Sequence, residues 1–157
     1  MTRIIRVFWW LVMTQVSLTA HSVLAGEIAL TRGQTVYVPV YSHIYSGDTA
    51  RPFLLTAILS IRNTDPRRSI ALTAVDYYDS EGELVRKYLE KQVSLRAMAS
   101  VRFIVKESDR QGGSGANFIV KWQSESPVNP PIMEGVMIGT QMGQGISFTS
   151  RGQPIQE

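Results

Sequence analysis

The sequence of 157 residues contains no cysteine and only two histidines, His21 and His43. Without cysteine, disulfide bonds and thiolate metal sites are excluded. Outside the amino-terminal region there is one histidine, His43. A metal site would therefore have to be built from oxygen ligands, and a hydrolase would have one candidate imidazole base. No basic stripe interleaved with aromatic residues is present, so the sequence does not favour nucleic-acid binding. These absences exclude several common chemistries before any motif is considered.

Long apolar segments are also missing. The most apolar run, Val7 to Leu18, spans 12 residues and is interrupted by polar side chains. As a helix it would rise roughly 18 Å, whereas a bilayer core is about 30 Å thick. Arg3 and Arg6 precede the run, and small residues at Val23 and Ala25 follow it. This pattern predicts a cleaved secretory signal peptide, with an uncleaved anchor as the alternative.

The predicted cleavage divides the chain into a signal peptide, residues 1–25, and a single domain, residues 26–157. The formal charge of the whole chain is +3, and Arg3 and Arg6 carry two of those charges, so the mature chain would be nearly neutral. Near-neutrality gives no general reason to expect nucleic acid or an anionic membrane as a partner. The remaining length of about 130 residues can bury a core without disulfides. We therefore expect a periplasmic protein, or one released from the cell, with no transmembrane segment after cleavage.

Strand signals recur along the mature chain, separated by turn residues. The predicted strands are QTVYVPVY (34–41), FLLTAILSIRN (53–63), IALTAVDYYD (70–79), ELVRKYL (83–89), ASVRFIVKE (99–107), ANFIVKWQS (116–124), EGVMIGT (134–140) and ISFTSR (146–151). Pro39 cannot donate to a strand ladder, so the first strand is expected at a sheet edge or with a bulge. The segment PVNPP (127–131) is predicted to be a loop. Seven or eight short strands predict an all-β fold, an antiparallel β-sandwich or barrel. The strand ending in SIRNTD, followed by ALTAVDYYDSEGELV, resembles the early strands of immunoglobulin-like sandwiches of exported bacterial proteins, so we expect an antiparallel immunoglobulin-like β-sandwich.

The stretch GGSGANFIVKW (112–122) has three glycines in four positions. A dinucleotide fingerprint fails because a strand follows and Phe118 takes the place of the third glycine. A nucleophile elbow at Ser114 fails because Ala116 stands where the second glycine belongs. The favoured interpretation is a turn between two strands. The alternative is anion or carbonyl binding by the bare amides of Gly112, Gly113, Ser114, Gly115 and Asn117.

Four carboxylates lie close together in VDYYDSEGE, namely Asp76, Asp79, Glu81 and Glu83. Their order does not follow a calcium-binding EF-hand loop. Turns favour acidic residues for their own hydrogen bonding, so a solvated hairpin turn is the favoured interpretation. A weak calcium site is the alternative.

One aromatic face stands out in TVYVPVYSHIYSG. If the strand stays extended to Tyr45, then Tyr37, Tyr41, His43 and Tyr45 project from the same side. Phenol and imidazole groups on one face suit sugar stacking or a protein contact. The alternative is ordinary packing under a neighbouring loop. Trp122, within a strand, is expected in the core.

The chain resembles the bacterial exported-protein family "domain of unknown function 3124". The resemblance rests on TVYVPVYSHIYSG, SIRNTD, VDYYDSEGELVR, GGSGANFIVKW and MIGTQMGQGISFTSRG, and it spans nearly all of the mature chain. It implies export and one domain, and it implies no activity, cofactor or catalytic residue.

Together these observations predict a periplasmic binding or protein-interaction module without a cofactor. The expected ligand is an envelope protein or a glycan, held by the aromatic face and the glycine stretch defined above. One alternative is a periplasmic hydrolase that uses Asp76 or Asp79 with His43. Another is a structural accessory domain of an envelope assembly. The oligomeric state stays open.

Overall fold

The structure is a computed structural model that describes residues 29–45, 51–141 and 143–156. The predicted signal peptide and its cleavage site lie outside the described residues. Twelve strands are described: β1 Thr31–Pro39, β2 His43–Tyr45, β3 Pro52–Leu54, β4 Thr56–Arg62, β5 Ile70–Tyr78, β6 Leu84–Lys87, β7 Val93–Leu95, β8 Ser100–Val105, β9 Asn117–Val128, β10 Ile132–Gln141, β11 Gln144–Arg151 and β12 Gln153–Ile155. Seven of them, β1, β4, β5, β8, β9, β10 and β11, have at least six residues and correspond to the predicted strands of the sandwich.

The strands form two main antiparallel sheets. A six-stranded sheet has the order β12-β1-β9-β5-β6, with β7 also pairing with β5, and a four-stranded sheet has the order β11-β10-β4-β8. A separate ribbon pairs β2 with β3. The predicted all-β antiparallel sandwich is confirmed. No helix in the described part of the chain has the length and apolarity to cross a membrane.

Alternating side chains of the two sheets form the core. Val36 and Val38 of β1 and Leu59 and Ile61 of β4 are fully or almost fully buried, as the period-two pattern predicts. Trp122 is 2% exposed, in agreement with its predicted core position. The alternation therefore identifies the inner face of each main strand.

Of the two alternatives for β1, the edge position is wrong, because β1 pairs with β9 on one side and with β12 on the other, whereas an irregularity of the bulge type is present in the strand. Pro39 is nevertheless tolerated. Strand β12 pairs only with Thr35 to Tyr37, so no strand on that side needs an amide from Pro39. The irregularity of β1 is at its other end, between Thr31 and Gly33.

The segment PVNPP is only partly a loop, because β9 continues through Val128. Val128 is fully buried and pairs with Thr31, and the guanidinium of Arg68 donates to the carbonyl of Pro127 at 2.9 Å. These contacts hold the end of β9 in strand geometry despite the proline.

Two buried polar residues organise the turn NTDPRRS. The Asn63 side-chain amide donates to the carbonyls of Arg68, Leu95 and Arg96 at 2.8, 3.2 and 3.0 Å. The Asp65 carboxylate accepts from the amides of Arg67 and Arg68 at 2.9 and 2.8 Å. These hydrogen bonds tie the end of β4 to the segment around β7.

Candidate functional site

The predicted aromatic face is interrupted because β1 ends at Pro39. Tyr37 lies on the side of β1 opposite to the buried valines, between Ile119 of β9 and Gln153 of β12. Tyr41 instead packs edge-on against Phe148 of β11, with ring centroids 5.5 Å apart. The extended strand that would align all four aromatic side chains is therefore not formed.

His43 and Tyr45 do form a pair on β2. Their rings meet edge to face at 5.2 Å, and His43 Nε2 lies 3.3 Å from the Tyr45 hydroxyl. Tyr45 is 57% exposed. This pair is the exposed remainder of the predicted aromatic face.

Ser42 joins this region to the glycine stretch. Its amide and its hydroxyl both donate to the carbonyl of Gly113, at 3.0 and 2.9 Å, and Ser42 itself is fully buried. The amide of Val40 donates to the carbonyl of Ala116 at 2.9 Å. The two regions predicted to share a site thus lie side by side, and the contact between them consists of buried structural hydrogen bonds.

The glycine stretch is a short 3₁₀ turn, Gly113–Gly115, between β8 and β9. Gly113 has φ of 77°, a conformation that favours glycine. Ser80 bridges the turn, since its hydroxyl donates to the carbonyl of Gly112 at 3.0 Å and accepts from the amide of Gly115 at 2.9 Å. The amide of Gly115 is therefore already engaged, which favours a structural turn over an anion cradle.

The remaining residues of the glycine stretch differ in their exposure to solvent. Asn117 is 8% exposed and begins β9, while Ser114 and Gly115 are exposed. Ser114 makes no hydrogen bond to His43 among the described residues, so the nucleophile interpretation gains no support from the structure.

Tyr77 explains why position 112 is glycine. A Cβ atom there would overlap the Tyr77 hydroxyl and lie 2.6 Å from its ring carbon Cζ. Tyr77 is fully buried, and its hydroxyl has no hydrogen-bond partner within the described ranges. Burial, with a smaller contribution from the negative charge of Asp109, raises the pKa of Tyr77 well above its usual value. The phenol thus stays neutral and acts as a packing group.

The acidic cluster is a turn as well. The Asp79 carboxylate accepts from the amides of Glu81 and Glu83 at 3.0 and 2.8 Å, and Gly82 adopts φ of 84° in the hairpin. No group of three or more His, Asp or Glu that could hold a metal ion occurs in the described part of the chain. Nor does any described hydrogen bond join His43 to Asp76 or Asp79. The calcium and hydrolase alternatives receive no support from this geometry.

A large polar groove lies elsewhere, on the six-stranded sheet where β5, β7 and β9 meet the start of β1. Its volume is about 760 Å³. It is lined by Arg32, Arg68, Ser69, Ile70, Ala71, Gln92, Ser94, Gln123, Ser124, Glu125 and Ser126. Hydroxyl, amide and guanidinium groups dominate this lining, and no aromatic ring contributes to it.

The register of the sheet brings these side chains together. Ala71 of β5 lies between Ser94 of β7 and Gln123 of β9. Gln123 Nε2 lies 3.5 Å from Gln92 Oε1. Arg32 reaches the groove from the irregular start of β1, where a Cβ at Gly33 would lie 2.7 Å from the Trp122 carbonyl.

The charges of the groove are unequal. Two guanidinium groups, from Arg32 and Arg68, face one carboxylate, from Glu125. The described residues form one ion pair, Arg86 with Asp109 at 2.9 Å, and it involves neither of these arginines. The charge of Arg68 is offset by nearby Asp65, whose carboxyl pKa it helps to lower, and its guanidinium donates to the carbonyl of Pro127. Arg32 is therefore the guanidinium of the groove with no described carboxylate partner, and it lies among uncharged hydrogen-bonding groups.

Sequence reasoning missed the groove because its lining comes from four separate segments. The only local signal is QSES (123–126), a polar run within the longest strand. A polar run on a central strand indicates an outward face that is not covered by another layer.

A second depression of about 550 Å³ lies beside the ends of β1 and β10. Pro130, Pro131 and Pro154 contribute to its lining, and Arg151 is its charged residue. It has fewer polar side chains than the groove, so it provides a useful comparison for binding experiments.

Comparison with known protein families shows which family this chain belongs to. The profile "Protein of unknown function (DUF3124)" matches residues 33–155, most of the chain and nearly all of its described strands. The chain belongs to this family. The resemblance inferred from the sequence motifs is thereby confirmed, and the DUF3124 description assigns no activity.

Other comparisons add little to the DUF3124 assignment. No curated protein matches the sequence. A solved structure, "Crystal Structure of Thermotoga maritima 1070", is similar over 76% of this chain and 92% of that chain, with 12% sequence identity and a TM-score of 0.43.

Proposed function

We propose that this DUF3124 protein is an exported binding protein of the cell envelope, that residues 26–157 are one mature domain, and that the polar groove holds its ligand. The observation that carries the proposal is the groove itself, a volume of about 760 Å³ lined by hydroxyl, amide and guanidinium groups. This site replaces the aromatic face and the glycine stretch as the leading candidate.

The chemistry of the lining favours an acidic glycan. Serine hydroxyls and glutamine amides complement sugar hydroxyls, because both can donate and accept. The guanidinium of Arg32 suits a carboxylate, which it can bind through two parallel hydrogen bonds. Without an aromatic platform, recognition would depend on hydrogen bonds and charge.

Binding is favoured over turnover by the groups present in the groove. Its only carboxylate is Glu125, and no histidine contributes to it. A glycosidase usually needs two carboxylates on either side of the scissile bond. Export is supported by the pattern of Arg3, Arg6 and the short apolar run.

Thermal unfolding of the purified protein with acidic and neutral oligosaccharides tests this function. A ligand at a hundredfold excess over its dissociation constant adds about 2.7 kcal/mol of stability. For a domain of this size, the melting temperature should rise by about 5 °C or more. An acidic sugar should give this shift, and its neutral counterpart should give a smaller one.

Substitutions inside and outside the groove test whether it is the binding site. Arg32→Ala and Gln123→Ala should each reduce the ligand-induced shift, since both side chains line the groove. Arg102→Ala removes the same group from an exposed position on β8, and Arg151→Ala removes it from the second depression. Equal losses in all four variants would contradict the groove, and no shift with any oligosaccharide would contradict the glycan-binding function.

A further inference from the structure

Strand β11 forms an open edge of the four-stranded sheet. It has eight residues, Gln144–Arg151, and it pairs in continuous register with β10. Among the described strands, β10 is its only ladder partner. Since residues of an edge strand alternate in the direction of their amides and carbonyls, half of β11 presents unpaired backbone groups outward.

The other described edges carry features that oppose further pairing. Strand β12 has three residues and contains Pro154, and β7 also has only three. Strand β6 carries Arg86 and Lys87. Strand β8 carries Arg102, and the Tyr88 hydroxyl donates to the carbonyl of Ile104 at 3.0 Å.

Strand β11 has its one charged residue, Arg151, at its last position and is otherwise free of these features. From Gln144 to Ser150 it contains neither a charged residue nor a proline, and its pairing with β10 shows no bulge. A long, uncharged and regular edge is a template for another strand.

We propose that two copies of this chain pair through β11, antiparallel, around a twofold axis at Ser147. The two four-stranded sheets would then form one continuous eight-stranded sheet across the interface. Such an interface is isologous, because the same strand contributes from both copies. The proposal is independent of the ligand assigned to the groove, which lies on the other sheet.

The sequence of β11 is complementary to itself in this register. Ile146 of one copy faces Phe148 of the second copy on the inner side, where both side chains are half-buried in the monomer and pack against its core. On the outer side Gly145 faces Thr149 of the second copy, and the two Ser147 side chains face each other. No like charges are opposed anywhere between Gln144 and Ser150, which is why a second copy fits this edge.

Sedimentation of the full protein over a range of concentrations tests the pairing. The wild-type chain should sediment as a dimer at high concentration. Ser147→Lys places two ammonium groups opposite each other at the axis and should raise the dimer dissociation constant by about tenfold or more. Because Ser147 is exposed, the variant should unfold at the same temperature as a dilute wild-type sample.

Gln153→Lys is the matched control, since it places the same charge on the exposed edge strand β12 of the other sheet. It should leave the dimer dissociation constant unchanged. A wild-type chain that stays monomeric at millimolar concentration would overturn the proposal, as would a dimer that resists Ser147→Lys.

Hydrogen exchange gives an independent readout. Amides of β11 should exchange more slowly as protein concentration rises, while those of β8 should not change. Protection of β11 that does not depend on concentration would mean that its edge is covered within one chain, or by another partner, and would overturn pairing between copies.

Discussion

Gly112 lies directly against the phenol of Tyr77, so a side chain at position 112 would occupy the space of the Tyr77 hydroxyl. We predict that Gly112→Ala lowers the free energy of unfolding by about 1–3 kcal/mol, because the buried ring cannot move without disturbing its packing. Urea denaturation measures this loss.

Tyr77→Phe serves as the partner in a double-mutant cycle. Alone it should change stability little, since the hydroxyl has no hydrogen-bond partner among the described residues. Combined with Gly112→Ala it should restore part of the lost stability, with a coupling of about 0.5 kcal/mol or more. Strictly additive losses would show that the two positions do not compete for space.

Asn63→Ala should destabilise the protein strongly. Its side-chain amide satisfies three carbonyls while the residue is 2% exposed, and buried carbonyls left without donors are costly. We expect a loss of about 2–3 kcal/mol in urea denaturation. Asn129→Ala, at a half-buried position where only the backbone amide has a described hydrogen bond, should cost much less. Similar losses would contradict the role assigned to Asn63.

Asp65 should make the free energy of unfolding depend on pH in the acidic range. The amides of Arg67 and Arg68 hold its pKa below the usual value, with burial opposing and the positive charge of Arg68 assisting. Because the folded pKa lies below the unfolded value of about 3.9, this stabilisation is present above about pH 4 and disappears as the pH falls through the folded pKa. The free energy of unfolding should therefore fall more steeply below about pH 4 in the wild type than in Asp65→Asn. Parallel pH profiles would rule this out.

The proposed export predicts which residue forms the amino terminus of the mature protein. In a host that secretes through signal peptidase, protein from the periplasmic fraction should begin at Gly26. Ala25→Arg should block cleavage and leave the longer chain, because signal peptidase needs small residues at this site. Intact mass and amino-terminal sequencing check both outcomes, and an uncleaved wild-type chain would support the anchor interpretation.

Local patterns predicted local structure well. The predicted strand 34–41 forms β1 with Val36 and Val38 buried, and the predicted hairpin turn in VDYYDSEGE forms with Gly82 at positive φ. Both features depend on neighbours in the sequence, where residue type and backbone preference act directly.

Features that depend on strand pairing were harder to predict. Pro39 suggested an edge strand, but the short reach of β12 makes the proline compatible with a central position. The groove joins Arg32, Gln92 and Gln123, which only the register of four strands, β1, β9, β5 and β7, brings together. Nothing in the local composition of any one segment specifies that register.

The pairing of β12 with β1 limits when the six-stranded sheet can be completed during folding. Thr35 and Tyr37 find their partners on that side at Ile155 and Gln153, so the six-stranded sheet is incomplete until nearly the whole chain has been synthesised. On its other side β1 pairs with β9, which lies about half the chain further along the sequence. Pairings this distant form late and slowly. A nascent chain would therefore lack its complete six-stranded sheet while it is made, and under the proposed export this incompletely folded state is the one that threading through a translocation pore requires.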